Sequence, residues 1–280
     1  MKTENWKLPT LIFSLAAMLL AGCHKNNEFS THTLSDEQCY ELTFDEQMGP
    51  WGTTVGQKNS YRVAWPDKGV LSKEAERELL FLCFGDSTSA TIDEARQKWI
   101  GSTFFFMDEN PKVRPTDTLI DNSEFGYNYN DLECTCTTDS ALATFTIRCE
   151  SFAAGAAHGI YSVDFLTVDL ATRRAIHLDD LVSDTNLLCE AVARAIQDLD
   201  ANKDIRECLF DEYIAAERMP MPQNFTVDSA RNSITVYYSL YDITPYCCGI
   251  PEITLPIFWL SKHVALTPYA KQLFGPGCSL

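Results

Sequence analysis

The sequence predicts an α+β fold: an antiparallel sheet with helices packed on one face, in two sub-domains. Three observations carry that reading. From Ala141 to Phe152 the residue types alternate, with Ala141, Ala143, Phe145, Ile147 and Cys149 on one face and Leu142, Thr144, Thr146, Arg148 and Glu150 on the other, the period of a β-strand. From Thr185 to Leu199 the apolar residues Leu188, Val192, Ala195 and Leu199 form a helical stripe, widened by Leu187, Ala191 and Ile196. Strand signals come in groups before and after that helix, which is the order of a layered α+β domain.

In chain order, residues 1–22 read as a targeting segment. Lys2 and Lys7 give a basic start, and Leu8 to Leu20 is mostly apolar but shorter than the ~20 residues of a membrane-spanning helix. Leu20-Ala21-Gly22-Cys23 fits a bacterial lipoprotein cleavage box, which makes Cys23 the lipidated first residue, bearing acyl chains such as palmitate. The bland alternative is an ordinary signal peptide with a chance cysteine. Residues 23–38 are polar, lack periodicity and read as a tether.

Residues 39–130 read as an N-terminal α+β sub-domain. Cys39 to Phe44 and Tyr61 to Trp65 suit strands, separated by a loop with Gly49, Pro50, Gly52 and Gly56. Ser72 can cap a helix that runs to Phe84, with Ala75, Leu79, Leu82 and Cys83 on one face and Gly85 as its stop. Thr91 to Glu94 is a capping-box pattern, with Ile92, Ala95 and Trp99 at helical spacing. Asp108 to Asn130 reads as a long connection.

Residues 131–280 read as the second sub-domain. After the Ala141–Phe152 strand, Gly155 to Gly159 (Gly-Ala-Ala-His-Gly) is small enough for close backbone approach or positive φ. Ile160 to Leu170 is a strand whose alternation slips near Phe165 and Leu166, as at a bulge or in a strand buried on both faces. Ala171 to Arg174 turns the chain, Ile176 to Leu178 returns it, and Asp179-Asp180 opens a helical region. Phe225–Val227, Ser233–Tyr238 and Ile253–Ile257 complete the sheet, with Pro256 at an edge or strand end.

Two stretches carry a family resemblance. Gly155-Ala-Ala-His-Gly159, Asp169-Leu-Ala-Thr-Arg-Arg174 and Leu178-Asp-Asp-Leu-Val182 make up the first; Tyr241-Asp-Ile-Thr-Pro-Tyr-Cys-Cys-Gly249 and Ile253–Pro256 make up the second. They resemble the RsiV-like C-terminal domain family, domain of unknown function 3298, which occurs in the extracellular half of RsiV-type anti-sigma factors and in some peptidoglycan deacetylases. The similarity spans Thr137 to Leu260, and residues 39–130 resemble the companion domain that precedes it. Ala156 stands where the family has a glycine, and Arg173 stands at its turn glycine. The resemblance implies a bacterial envelope protein, facing the periplasm or the exterior, that binds a lysozyme-like cationic protein or peptidoglycan fragments. The short stretch after Leu260 leaves no room for the deacetylase domain, and the chain shows neither a sigma-binding segment nor a membrane-spanning helix.

Charge and cysteines agree with export. The formal charge is −17, and removing residues 1–22, with two Lys and one Glu, makes it −18. Such a chain does not seek nucleic acid or anionic lipid through its mean field; solubility explains the charge, and a cationic partner also fits it. Eleven cysteines are present, ten apart from Cys23, and an oxidising compartment allows disulfides whose pairing sequence does not specify. Cys134 and Cys136 share a strand face, while Cys247 and Cys248 are adjacent and more apt to bond elsewhere than to each other. The five His lie far apart and no Cys-x-x-Cys occurs, so neither a metal nor a cofactor is expected.

His158 invites an acid–base reading, but no nucleophile or paired base lies near it in sequence, and a hydrogen-bonded structural role is the competing reading. Asp179-Asp180 could bind a cation or cap a helix. Tyr237, Tyr238, Tyr241 and Tyr246 could pack in the sheet, stack on sugar or anchor a protein. No Gly-x-Ser-x-Gly, His-Glu-x-x-His or phosphate loop occurs. No catalytic residue is expected. Binding is assigned to His158, Gly159, Tyr241 and Tyr246, on loops flanking predicted strands. The function expected is non-enzymatic binding by a lipid-anchored envelope protein; the alternative is an envelope hydrolase or hydrolase inhibitor.

Overall fold

The computed structural model describes residues 29–45, 52–86, 88–89, 91–102, 112–119, 126–139, 141–228, 230 and 232–275. The targeting segment, Cys23 and the first part of the tether lie outside the described residues. The strands are β1 (Thr31–Thr43), β2 (Thr54–Pro66), β3 (Lys112–Thr116), β4 (Asn128–Thr138), β5 (Leu142–Phe152), β6 (Ile160–Asp169), β7 (Arg174–Ala175), β8 (Asn224–Asp228), β9 (Ser233–Tyr237) and β10 (Glu252–Pro256). The helices are α1 (Lys73–Phe84), α2 (Ile92–Ser102), α3 (Leu178–Leu181), α4 (Thr185–Asp198), α5 (Lys203–Cys208), α6 (Ile257–Leu260) and α7 (Pro268–Phe274). Among the described residues one sheet has seven strands in the order β3-β1-β2-β4-β5-β6-β7, and a second has three in the order β10-β9-β8. The fold is therefore α+β.

Local chemistry accounts for the helix ends. The Ser72 hydroxyl accepts from the Ala75 amide at α1, and Gly85 closes that helix at φ 68°. Asp184 accepts from the Asn186 and Leu187 amides at α4. Asp180 accepts from the His177 amide at 2.9 Å and so caps the start of α3. α7 was not foreseen, although its start is legible: Thr267 accepts from the Ala270 amide, and Pro268 is its first residue.

Several expectations are corrected. The large sheet is mixed, because β2 and β4 run parallel; between them the chain makes the long crossover, through α1 and α2, that a parallel pair requires. The tether read at residues 23–38 runs into β1, which pairs with β2 from Thr31 opposite Pro66. The sub-domain boundary read at residue 130 falls inside β4, which has strand partners on both sides. Its Asn128 and Asn130 look like loop residues but are buried, with Asn130 accepting from the Ser151 hydroxyl at 2.7 Å. No bulge interrupts β6, whose register with β5 is continuous. Leu166, Thr167 and Val168 are instead all buried in succession, the two-faced alternative. The return strand is only β7, since Leu178 already belongs to α3.

Among the described residues, two large apolar cores and a small third cluster of Leu42, Phe44, Val55 and Ala154 result. Tyr61, Val63, Leu132, Phe145 and Ile147 of the large sheet pack against Ala75, Leu79, Phe84 and Ala95 of α1 and α2. Leu188, Val192 and Ile196 of α4 pack with Val236, Ile253 and Leu255 of the small sheet and with Leu260 and Phe274.

Arg173 adopts φ 61°, while its guanidinium donates to the Gly69 carbonyl at 2.7 Å. A side chain in left-handed backbone costs about 1–2 kcal/mol, and a half-solvated hydrogen bond returns about 0.5–1.5 kcal/mol. These nearly cancel. Arg173→Gly should therefore shift the melting temperature by no more than about 4 °C, at about 2–4 °C per kcal/mol for a chain of this size. A much larger fall by calorimetry would mean that the Gly69 contact organises more of the fold than one hydrogen bond.

Candidate functional site

Two loops of small or aromatic residues build the site. The first, Ala153–Gly159, leaves β5 with Ala154 buried and its amide bonded to Asn128 Oδ1 at 2.8 Å. Gly155 turns at φ 80°. At Gly159 a Cβ would lie 3.0 Å from the Ser151 carbonyl oxygen, so a side chain there would press on the backbone of β5.

The second loop, Tyr238–Gly249, is pinned from below. Ile243 is fully buried, its carbonyl accepts from the Phe210 amide at 3.0 Å, and the Tyr238 hydroxyl donates to the Pro220 carbonyl at 2.8 Å. Asp242 accepts from the Ser239 amide, and this tight turn puts Tyr241 at φ 68° and leaves its ring 53% exposed. A 3-10 turn over Tyr246–Cys248 follows, and Cys248 is disulfide-bonded to Cys208 at the end of α5. Cys248 thus bonds elsewhere than to Cys247, which is an exposed free thiol.

The loops meet at Tyr246. Its ring stacks on His158 with centroids 4.0 Å apart, and its hydroxyl donates to the Gly159 carbonyl at 2.9 Å. His158 Nδ1 lies 2.9 Å from the same carbonyl. A carbonyl only accepts, so Nδ1 carries the proton and Nε2 is left toward its surroundings. Tyr161 and Tyr241 flank Tyr246 at 6.1 and 5.8 Å. Past Gly159 the aromatic surface continues through Tyr129, stacked on Phe152 at 5.7 Å. Tyr129 donates to Glu150, and that bond pushes its pKa up to about 12, so it stays a neutral donor.

All four residues expected to bind are thus neighbours, with unequal roles. His158 and Tyr241 face solvent, Tyr246 is half-buried and joins the loops, and Gly159 contributes its backbone. Tyr161 was missed because it sits inside a strand, where an alternating aromatic reads as packing. Also missed was a groove of about 550 Å³ beside the aromatic strip, lined by Arg148, Tyr161, Phe165, Tyr237 and Glu252 among others.

His158 is hydrogen-bonded to a backbone carbonyl, and no serine, threonine or cysteine shares a hydrogen bond with it among the described residues. Nor is any group of three or more His, Cys, Asp or Glu among them placed to hold a metal. Seven of the described cysteines are free, including the buried Cys83 and Cys134. Contact with Cys134 and burial push the Cys83 thiol well above its usual range, so it behaves as an inert core group. None of the described helices is long and apolar enough to cross a membrane.

Residues 179–257 match the model of a family described as "Protein of unknown function (DUF3298)". The match takes in the Tyr241–Gly249 loop and stops short of the Gly155–Gly159 loop. Among solved structures, the chain is similar to a DUF3298 family member from Bacteroides fragilis, with TM-score 0.54, 18% identity, and 88% of this chain and 98% of that one covered. A DUF3298 family protein from Pseudomonas aeruginosa aligns with TM-score 0.49, 17% identity, and coverage of 88% and 97%. The Bacteroides likeness shows the fold alone. No curated protein matches the chain.

Proposed function

We propose that this is a lipid-anchored, non-enzymatic binding protein of the bacterial envelope, and that a lysozyme-like cationic protein docks on the aromatic strip formed by His158, Tyr241 and Tyr246. One observation carries the reading: residues 87 apart in sequence, Gly159 and Tyr246, are joined so that rings from two loops form one surface with Tyr241 and Ile160 more than half exposed. Large, stiff, amphipathic rings give contact area at small entropic cost and dominate protein interfaces. The net charge of −17 supports a cationic partner through electrostatic steering. The RsiV-like resemblance at both loops supports a lysozyme-type hydrolase as that partner.

Calorimetric titration with lysozyme tests this. Binding is expected, with an association rate that falls as salt shortens the reach of the charges. Absence of binding at low salt would remove the reading. The anchor has its own test. Cys23→Ser should move the protein from the membrane to the soluble fraction, because one residue carries the lipid. A variant that stays with membranes through a carbonate wash would rule out the lipoprotein reading.

A further inference from the structure

The groove beside the aromatic strip is built by strand register. On the large sheet, Thr146 lies opposite Phe165 and Arg148 opposite Val163, so these four share the face turned away from α1 and α2. The small sheet meets β6 at its edge. There Asn224 acts as a clamp: its amide nitrogen donates to Asp164 Oδ1 at 2.8 Å, and its oxygen accepts from the Phe165 amide at 3.4 Å. The cross-strand pair Tyr237 and Glu252 then stands over the corner between the sheets. Phe165 and Tyr237 bridge the two sheets, with ring centroids 4.3 Å apart.

The lining selects its occupant. A space of about 550 Å³ lies within the ~300–1,000 Å³ of ligand sites. Tyr161, Phe165 and Tyr237 are each half-buried, so ring surface remains available for the apolar face of a pyranose. Arg148 only donates, Glu252 only accepts, and Thr146 does both, the mixture that sugar hydroxyls require. Val163 and Ile250 add aliphatic surface suited to an acetamido methyl. An extended peptide is disfavoured, because the adjoining strand edges are already capped. Asn224 covers β6, and Asn202 bonds the Thr254 amide and carbonyl of β10 at 3.0 and 3.2 Å. A polyanion is disfavoured by the charge of −17.

We propose that this groove binds a neutral oligosaccharide bearing acetamido groups, stacked on Tyr161 and Tyr237 and hydrogen-bonded by Arg148 and Glu252. The groove adjoins the protein-docking strip at Tyr161, but its occupant is tested without the protein partner. The test titrates the purified chain, without lysozyme, with the tetramer of N-acetylglucosamine, and with cellotetraose as the sugar lacking acetamido groups. The N-acetylated tetramer should bind with a dissociation constant below about 1 mM, the weak end of specific recognition, and cellotetraose should bind at least about tenfold more weakly, one apolar or hydrogen-bonding group's worth of selectivity. Tyr237→Ala should weaken binding about tenfold or more, in line with the loss of one stacked ring. Because Tyr237 also packs on Phe165, the exposed Arg148→Ala supplies a second variant, expected to lose several-fold affinity with its melting temperature unchanged. No heat or chemical-shift change with either sugar would overturn the proposal, as would full affinity in both variants. Equal affinity for cellotetraose would overturn the acetamido preference.

Discussion

Removing the Cys208–Cys248 disulfide with Cys208→Ser and Cys248→Ser together should lower the melting temperature by about 8–16 °C, at about 2–4 °C per kcal/mol for a chain of this size. The bond closes a loop across a sequence separation of 40. In the chain-entropy account, a loop of that length restricts the unfolded ensemble by about 4 kcal/mol. The loss has a local route as well. The bond ties the Tyr246–Cys248 turn to the end of α5, two residues before the Phe210 amide that donates to the Ile243 carbonyl. The double variant avoids a swap, since Cys247 is exposed beside Cys248 and could otherwise take over the bond to Cys208. Calorimetry of the wild type with and without reductant should reproduce the difference. Equal melting temperatures for oxidised, reduced and double-variant protein would mean that the loop is held by Ile243 and its neighbours alone.

The two loops were legible in the sequence as local patterns; that they touch was not. Small residues at Gly155–Gly159 and a tyrosine-rich run at Tyr241–Gly249 are visible as local patterns, and so are the Ser72 and Gly85 caps, because each depends on residues a few positions apart. The strand over Leu142–Phe152 was legible because one face is buried and the other is not. β1 hid its first half because Thr31, His32, Thr33, Ser35, Asp36 and Glu37 are exposed whichever way they point, which erases alternation. β4 hid its start because Asn128 and Asn130 are paired by tertiary contacts, with Ala154 and Ser151, that no local rule reveals. The parallel pairing of β2 with β4 and the choice of Cys208 as the partner of Cys248 are likewise long-range facts.

Tyr241→Ala should weaken lysozyme binding by about thirtyfold, the ~2 kcal/mol loss typical of a hot-spot aromatic, while leaving the melting temperature within a few degrees. The ring is 53% exposed and packs beside Tyr246 at 5.8 Å. Its φ of 68° is equally unfavourable for Tyr and Ala, so the backbone contributes no difference. Tyr246→Ala should behave otherwise. It removes the bond to Gly159 and the stack on His158 together, so affinity and stability should fall jointly as the two loops separate. Tyr246→Phe isolates the hydroxyl. It keeps the stack and drops one hydrogen bond, about 1 kcal/mol, and should cost stability more than affinity. The three variants together separate contact from scaffold. If Tyr241→Ala and Tyr246→Ala both bind lysozyme at full strength while Tyr246→Ala melts early, the strip is a packing device that closes the loops over Gly159, and docking has to be sought on another face.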